Sequence, residues 1–432
     1  MIFVSTLGDL RAAKSLHDLA AILRYRPSAI SFIVYKTPVS AKYTTFEIPK
    51  KGGESRKIDA PNPKLKALQK RLADVLYECL HEIEGAAKSK NKLSHAFRKK
   101  HSIITNAKAH KARRYVLNLD LENFFPSLNF GRVRGFFLKN NHFKLAEPVA
   151  TLLAQVACHD GTLPQGSPCS PIISELLTHF LDIRLVKLAK KNKCTYTRYA
   201  DDITFSTNQK DFPTDLADET NEGWKIGSEL KDRIEDAGFT INEAKTRMQL
   251  RGSRQIVTGL VVNEKINVSQ RYYKFARAMT ESFLTTGSFT QDGTTSTSVQ
   301  KLEGILNHIY HVRERQIDIS IDAEFNGERR HKLHGARTKQ KNEHPTAIRR
   351  IYFQLVFFKH FIDPKKPLVI CEGPTDPVYL KRRHSKTGGI APEISLGKGP
   401  KIHPKCKFFQ ILPSSKRCLT APRRFGRPQV LP

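Results

Sequence analysis

Asp120 ends the apolar run Tyr115-Val-Leu-Asn-Leu-Asp120, and Asp201-Asp202 interrupt a second one, Tyr196-Thr-Arg-Tyr-Ala-Asp-Asp-Ile-Thr-Phe-Ser206. Carboxylates in such surroundings are costly unless water, hydrogen bonds or cations compensate them. A divalent ion gives the arrangement a reason, because Mg²⁺ takes oxygen ligands and commonly bridges a few carboxylates to substrate phosphates. Two such ions activate an attacking hydroxyl and stabilise the leaving oxygen of an in-line displacement. On this reading Asp120 and Asp201 bind both ions, and Asp202 completes or orients the site. The plainer reading of an Asp-Asp pair taken by itself is a polar turn between strands.

Flanking residues bear on that choice. Leu163-Pro-Gln-Gly-Ser-Pro168 lies between the acidic elements, and its glycine and prolines can force a chain turn against a base pair or nucleotide. Within it, Gln165 offers an acceptor and donors near an incoming nucleotide. A structural loop ahead of a helix from about Ser170 would use the same residues. Upstream, Lys50 and Arg56 fall on an expected hairpin, where two cations can hold a triphosphate and Arg supplies the directional fork. An exposed basic hairpin without a ligand is the competing reading.

Taken in order, Phe124-Phe125 after Asp120, the LPQGSP segment, Tyr199-Ala-Asp-Asp202 and Asn242-Glu-Ala-Lys245 resemble four regions of the reverse-transcriptase palm. The resemblance implies that Asp120, Asp201 and Asp202 serve the metal ions. It implies that Phe125 lies under the sugar and obstructs a ribose 2′-hydroxyl, and that Lys245 stands near the nucleotide phosphates and aids departure of pyrophosphate. It also places Arg56 among basic fingers residues. Without it, Phe125 reads as core packing and Lys245 as a solvated charge.

Asn106-Ala-Lys-Ala-His110 resembles the NAxxH element of retron reverse transcriptases, and Val257-Thr-Gly259 resembles their VTG element. This narrower resemblance implies a cognate structured non-coding RNA as partner and priming from an internal guanosine 2′-hydroxyl. Deoxynucleoside triphosphates are then polymerised into branched multicopy single-stranded DNA (msDNA), in association with anti-phage defence and an effector protein. On a helix, Asn106 and His110 are one turn apart and face one partner. His110 would then hydrogen-bond RNA or stack on a base, unless it is a satisfied structural histidine. Thr258 and Gly259 permit close backbone approach and a hydroxyl contact to the RNA or primer, although a simple strand turn needs the same glycine. A group II intron-like enzyme shares the palm but is not expected to carry both elements. A mainly structural RNA- or DNA-binding component is the other alternative.

These side chains need a scaffold, and the fold class implied is α+β: a right-hand polymerase with fingers, palm and helical thumb, plus a partial TOPRIM-like C-terminal segment. The expected divisions are N-terminal helices and fingers over 1–114, palm with intervening fingers elements over 115–262, thumb over 263–362, and a TOPRIM-like or disordered basic tail over 363–432. Hydrophobic spacing predicts short helices within 8–34, a hairpin of strands 43–49 and 55–61, and an amphipathic helix from Pro63 to about Ile83. Further helices are expected from near Phe130, over Val149–Ala157, after Pro171, over 220–238 and over 271–286. Thr285–Ser298 reads as a loop, and Lys301 to about Phe361 as mainly helical.

Lys and Arg number 73 against 41 Asp and Glu, a formal charge of +32, which points to a polyanionic partner. Basic residues such as Arg329, Arg330, Lys332, Arg337 and Lys339 are expected to grip RNA phosphates in the thumb. The 7 cysteines include no C-x-x-C pair and read as reduced thiols, arguing against a disulfide scaffold or zinc knuckle. Neither a secretion signal nor a run of roughly 20 apolar residues is evident, so no membrane is expected and the cytoplasm is the expected location. Leu368-Val-Ile-Cys-Glu-Gly-Pro-Thr-Asp376 resembles the opening acidic element of a TOPRIM domain, with Glu372 and Asp376 as its acids. No Asp follows Asp376, so a remnant is expected and not a second active enzyme.

Overall fold

The structure is a computed structural model and describes residues 5–49, 53, 55–86, 93–221, 223–324, 331–333, 335, 346–362, 368–371 and 407–410. The chain forms two compact units, Met1–Asn267 and Val268–Pro432.

The first unit opens with helices α1 (Thr6–Ala12), α2 (Leu16–Leu23), α3 (Pro27–Ser31) and α4 (Val39–Lys42). Ser15 and Asp18 form a capping box on α2, fixing where that helix begins. Strands β1 (Tyr43–Pro49) and β2 (Ser55–Pro61) pair as the expected antiparallel hairpin, with Ile48 opposite Arg56. Lys50 lies outside the described residues. Helix α5 (Pro63–Ala86) buries Leu65, Leu68, Leu72, Val75 and Leu76, the apolar stripe that its spacing predicts. Gln69 is also buried on α5, donating to Tyr43 Oη at 2.7 Å and Val156 O at 2.9 Å. Helix α6 (Ile103–Ala109) follows, again opened by a capping box, Ser102 with Thr105.

At the centre is a four-stranded antiparallel sheet of β3 (Tyr115–Asp120), β4 (Thr195–Tyr199), β5 (Asp202–Thr207) and β8 (Arg247–Leu250), in the order β4-β5-β3-β8. Helices α7 (Phe124–Ser127), α8 (Phe130–Lys139), α9 (Glu147–Ala157) and α10 (Ser170–Lys191) lie between β3 and β4 in sequence. Helix α10 is buried nearly all round in its N-terminal half, Ile172 through Thr178, while Phe180, Ile183, Arg184, Lys187 and Lys190 form an exposed stripe along its C-terminal half.

One expectation fails between the sheet strands. The expected helix does not start at 220: β6 (Ala217–Thr220) and β7 (Gly223–Ile226) form a hairpin, and helix α11 begins only at Ser228 and ends at Glu235. Gly223 has φ +111°, a conformation glycine adopts freely and other residues rarely do, and it breaks any helix across the turn. The unit closes with the short hairpin β9 (Ile256–Val257) and β10 (Leu260–Val261).

The second unit contains α12 (Gln270–Thr286), α13 (Val299–Glu324) and α14 (Ala347–Phe357). Between α12 and α13 the expected loop is a hairpin, β11 (Phe289–Gln291) with β12 (Thr294–Ser296). Asp292 and Gly293 at its tip have φ +49° and +78°, the backbone a two-residue type I′ turn requires. Strands β13 (Leu368–Cys371) and β14 (Lys407–Gln410) pair antiparallel. Glu372 and Asp376 lie outside the described residues, as do Arg329, Arg330, Arg337 and Lys339, while Lys332 is exposed. Among the described residues no helix is long and apolar enough to cross a membrane.

Candidate active site

The acidic residues meet at one end of the central sheet. In the β3–β5 register Asp120 stands directly opposite Asp202, and opposite residues of an antiparallel pair share one face with their side chains adjacent. Tyr199 pairs with Asp202 across the other neighbour, so Ala200 and Asp201 form a two-residue turn between β4 and β5. Ala200 takes φ +59°, the position of a type II′ turn usually given to glycine. Holding a residue with a Cβ there costs on the order of 1 kcal/mol. Leu121 N donates to Asp201 O at 3.0 Å and Asn242 N to Asp120 O at 2.8 Å, tying the turn and the next loop to the end of β3.

Asn242 caps a single 3₁₀ turn, Glu243–Lys245, which delivers Lys245 Nζ to Asp120 Oδ1 at 2.8 Å. Asp202 is reachable from the cleft, yet the surrounding protein, then Asp201 and Asp120, push its pKa up to about 7. Burial and Asp120 likewise raise that of Asp201, with Lys245 and Arg56 acting against the rise. Arg56, exposed on β2, therefore exerts its charge on this same site.

A divalent ion fits this donor set. Its oxygens are hard, they crowd one another enough to resist ionisation, and a cation already sits against Asp120 in the form of Lys245. Among the described residues no three acidic, His or Cys side chains converge into a ready-made cage. Mg²⁺ sites of this kind are commonly open, with substrate phosphates and water completing the shell.

Phe125 follows Asn123, which has φ +47°, and is half-buried against Phe97 and edge-on to Phe124. Gln165 is half-buried, and its carbonyl accepts from Asp59 N at 2.9 Å, locking the LPQGSP loop onto β2. Gly166 makes that contact possible: a Cβ there would lie 2.6 Å from Asp59 O, and its φ is +130°. Thr258 and Gly259, with φ +45° and +79°, turn between β9 and β10. They line a cleft of about 670 Å³ together with Asp120, Asp202 and Lys245.

Asn106 and His110 do not face that cleft, which corrects the expectation of direct RNA contact. Both are 0% exposed. His110 Nδ1 is 2.7 Å from Ser206 Oγ and its Nε2 is 2.7 Å from Thr197 Oγ1, which in turn lies 2.5 Å from Asn106 Oδ1. They do face one partner, but that partner is β4 and β5. Burial above all, with Arg113 and His95 adding to it, holds His110 down at a pKa of about 3, so the ring is neutral. Thr258 Oγ1 donates to Ile103 O at 3.2 Å, so α6 also touches the Thr258 turn.

Sequence reasoning missed the other walls of the cleft, Asn118, Arg247, Gln249 and Arg254. Only the alternation of β3 and β8 signals Asn118, Arg247 and Gln249, and it does not separate a cleft from solvent; Arg254 lies in the loop after β8 and carries no such signal. Also missed was Arg198, buried beside the Asp-Asp turn. Its signal was a lone cation in the apolar strand before Tyr199.

The pattern described as "Reverse transcriptase (RNA-dependent DNA polymerase)" matches residues 48–275. Retron Mx162 reverse transcriptase of Myxococcus xanthus is 36% identical over 276 residues, covering 59% of this chain and 55% of that one. Retron Mx65 reverse transcriptase, from the same organism, is 35% identical over 252 residues, 55% of each chain. The match thus spans about half the length of these two relatives. Retron Ec86 reverse transcriptase of Escherichia coli is 33% identical over 272 residues, covering 62% of this chain and 78% of that one. With a right-hand polymerase palm built around Asp120 and the Asp201-Asp202 turn, the chain belongs to the reverse transcriptase family, among the retron reverse transcriptases.

Proposed function

We propose that this protein is an RNA-directed DNA polymerase that copies a cognate structured non-coding RNA into msDNA, starting from an internal guanosine 2′-hydroxyl. The observation that carries the reading is the register of Asp120 opposite Asp202, with the Asp201 turn beside them and Lys245 on Asp120. The retron relatives support RNA as the partner and deoxynucleoside triphosphates as the substrates. By the same relationship, the msDNA serves anti-phage defence with an effector protein, and the work is done in the cytoplasm.

Asp120, Asp201 and Asp202 would hold divalent ions, which we take to be Mg²⁺, and these would supply an activated hydroxyl and charge stabilisation at the leaving oxygen. Lys245 offers a proton and a positive charge to the departing pyrophosphate. Arg56 grips the triphosphate from the β1–β2 hairpin, and Gln165 orients the nucleotide from a loop that Asp59 holds in place. Phe125 packs under the sugar and excludes a ribose 2′-hydroxyl. Thr258 and Gly259 bring backbone close to the RNA or primer strand along the cleft.

Co-expression with the adjacent non-coding RNA tests this. Wild type is expected to yield RNase-resistant branched DNA and Asp201→Asn none. Equal products from both would remove Asp201 from the chemistry, and extension only from free 3′ ends would remove the 2′-hydroxyl start.

A further inference from the structure

Arg198 is 1% exposed and sits on β4, two residues before Ala200. Its Nε donates to Asp182 Oδ1 at 2.7 Å, and its Nη2 to Asp182 Oδ2 at 2.8 Å and Glu175 Oε2 at 3.1 Å. Both carboxylates come from α10. Tyr196 Oη donates to Asp182 at 2.7 Å, while Ser94 Oγ at 2.7 Å and Arg98 Nη1 at 2.9 Å donate to Glu175. Burial opposes the charge on Arg198, but Asp182 and Glu175 more than offset it and hold the guanidinium pKa well above its usual value.

A buried ion cluster of this kind is often no more stabilising than well-packed apolar side chains of the same volume. Its distinctive effect is to fix a donor at one point. That donor is Nη1, which reaches Ala200 O at 3.2 Å. Ala200 is the residue in the disfavoured left-handed conformation, and its carbonyl belongs to the peptide joining it to Asp201. From the other side, Leu121 N holds Asp201 O at 3.0 Å. The turn is thus gripped at two consecutive carbonyls, one by Arg198 and one by the residue after Asp120.

We propose that Arg198 is a positioning residue for the metal-binding turn: anchored by Asp182 and Glu175, it holds the Ala200 peptide so that Asp201 and Asp202 face Asp120. The proposal rests on the reading of those aspartates as divalent-ion ligands. Lysine keeps the charge but lacks the rigid fork needed to reach two carboxylates and a carbonyl together.

The test is Mn²⁺ affinity of the RNA-free protein, read from the electron paramagnetic resonance signal of the free ion, alongside DNA synthesis. Arg198→Lys is expected to bind Mn²⁺ about tenfold more weakly, the loss of one charge-assisted hydrogen bond. Its kcat should fall, with KM for deoxynucleotides little changed. Adding Ala200→Gly, which adopts the left-handed conformation without strain, should restore most of the Mn²⁺ affinity. A purely structural Arg198 predicts a lower melting temperature, unchanged Mn²⁺ affinity and no recovery by glycine, and that result overturns the proposal. Asp182→Asn should move Mn²⁺ affinity in the same direction by a smaller factor. If neither Arg198→Lys nor Asp182→Asn folds, Arg198 is structural and the proposal falls. If wild type and Asp201→Asn bind Mn²⁺ and make DNA alike, it is the metal-site reading that fails.

Discussion

Electrostatic crowding at Asp202 has consequences that can be measured on the protein alone. Its pKa is pushed up to about 7 by the surrounding protein and by two neighbouring carboxylates. In the unfolded chain it would titrate near the ordinary aspartate value, roughly 3.9. Between those two values the folded state binds the extra proton, so metal-free stability falls as pH rises through that window, with the full penalty present above about pH 7. Asp202→Asn should therefore melt higher than wild type at pH 8 without metal, the difference closing as pH drops toward 4. A variant melting lower at pH 8 would contradict this. Protons also compete with the ion, so the divalent-ion midpoint of wild type should rise as pH falls from 8 to 6. The three aspartates were legible in the sequence because each interrupts an apolar strand. Arg198, Glu175 and Asp182 were not: acids seven residues apart on a helix look like part of its wet face until α10 is seen to bury both and to expose another side, through Phe180, Ile183 and Lys187.

At the scale of elements, the site depends on pieces that bear no ligand. Helix α6 is bolted to β4 and β5 through His110 and Asn106. His110→Phe keeps an aromatic ring but strands the Ser206 hydroxyl and leaves Thr197 with Asn106 alone, and a buried hydroxyl left without its partner costs about 1–3 kcal/mol. We expect a melting temperature lowered accordingly, with RNA affinity per folded molecule unchanged; full stability with lost RNA binding would restore the direct-contact reading. Gly166→Ala should loosen the loop from β2, because the new methyl meets Asp59 O at 2.6 Å. Its signature is a raised KM for deoxynucleotides, and an unchanged KM would separate the loop from nucleotide binding. The large elements were readable from spacing: the β1–β2 hairpin, α5, and the strands around the Asp-Asp turn. The hairpins β6–β7 and β11–β12 were not, since strands of three or four residues are too short for alternation to register. In the second, Asp292-Gly293 was the available signal.

For the whole molecule, a charge of +32 would set how RNA is held under the proposed function. Binding that neutralises about six phosphates loses roughly 10³-fold in affinity between about 50 and 200 mM salt. A slope near zero would mean that the basic excess is not the RNA-binding surface. Family membership was legible because the palm residues occur in a fixed order, an arrangement composition alone does not reveal. If Asp120, Asp201 and Asp202 act together on a divalent ion, as proposed, the most direct check is deoxynucleotide incorporation by purified protein on its RNA at saturating Mg²⁺. Wild type should incorporate, and Asp201→Asn should be slower by about a thousandfold or more, on the order of 4 kcal/mol of transition-state stabilisation. Incorporation by Asp201→Asn within a few-fold of wild type would contradict the account.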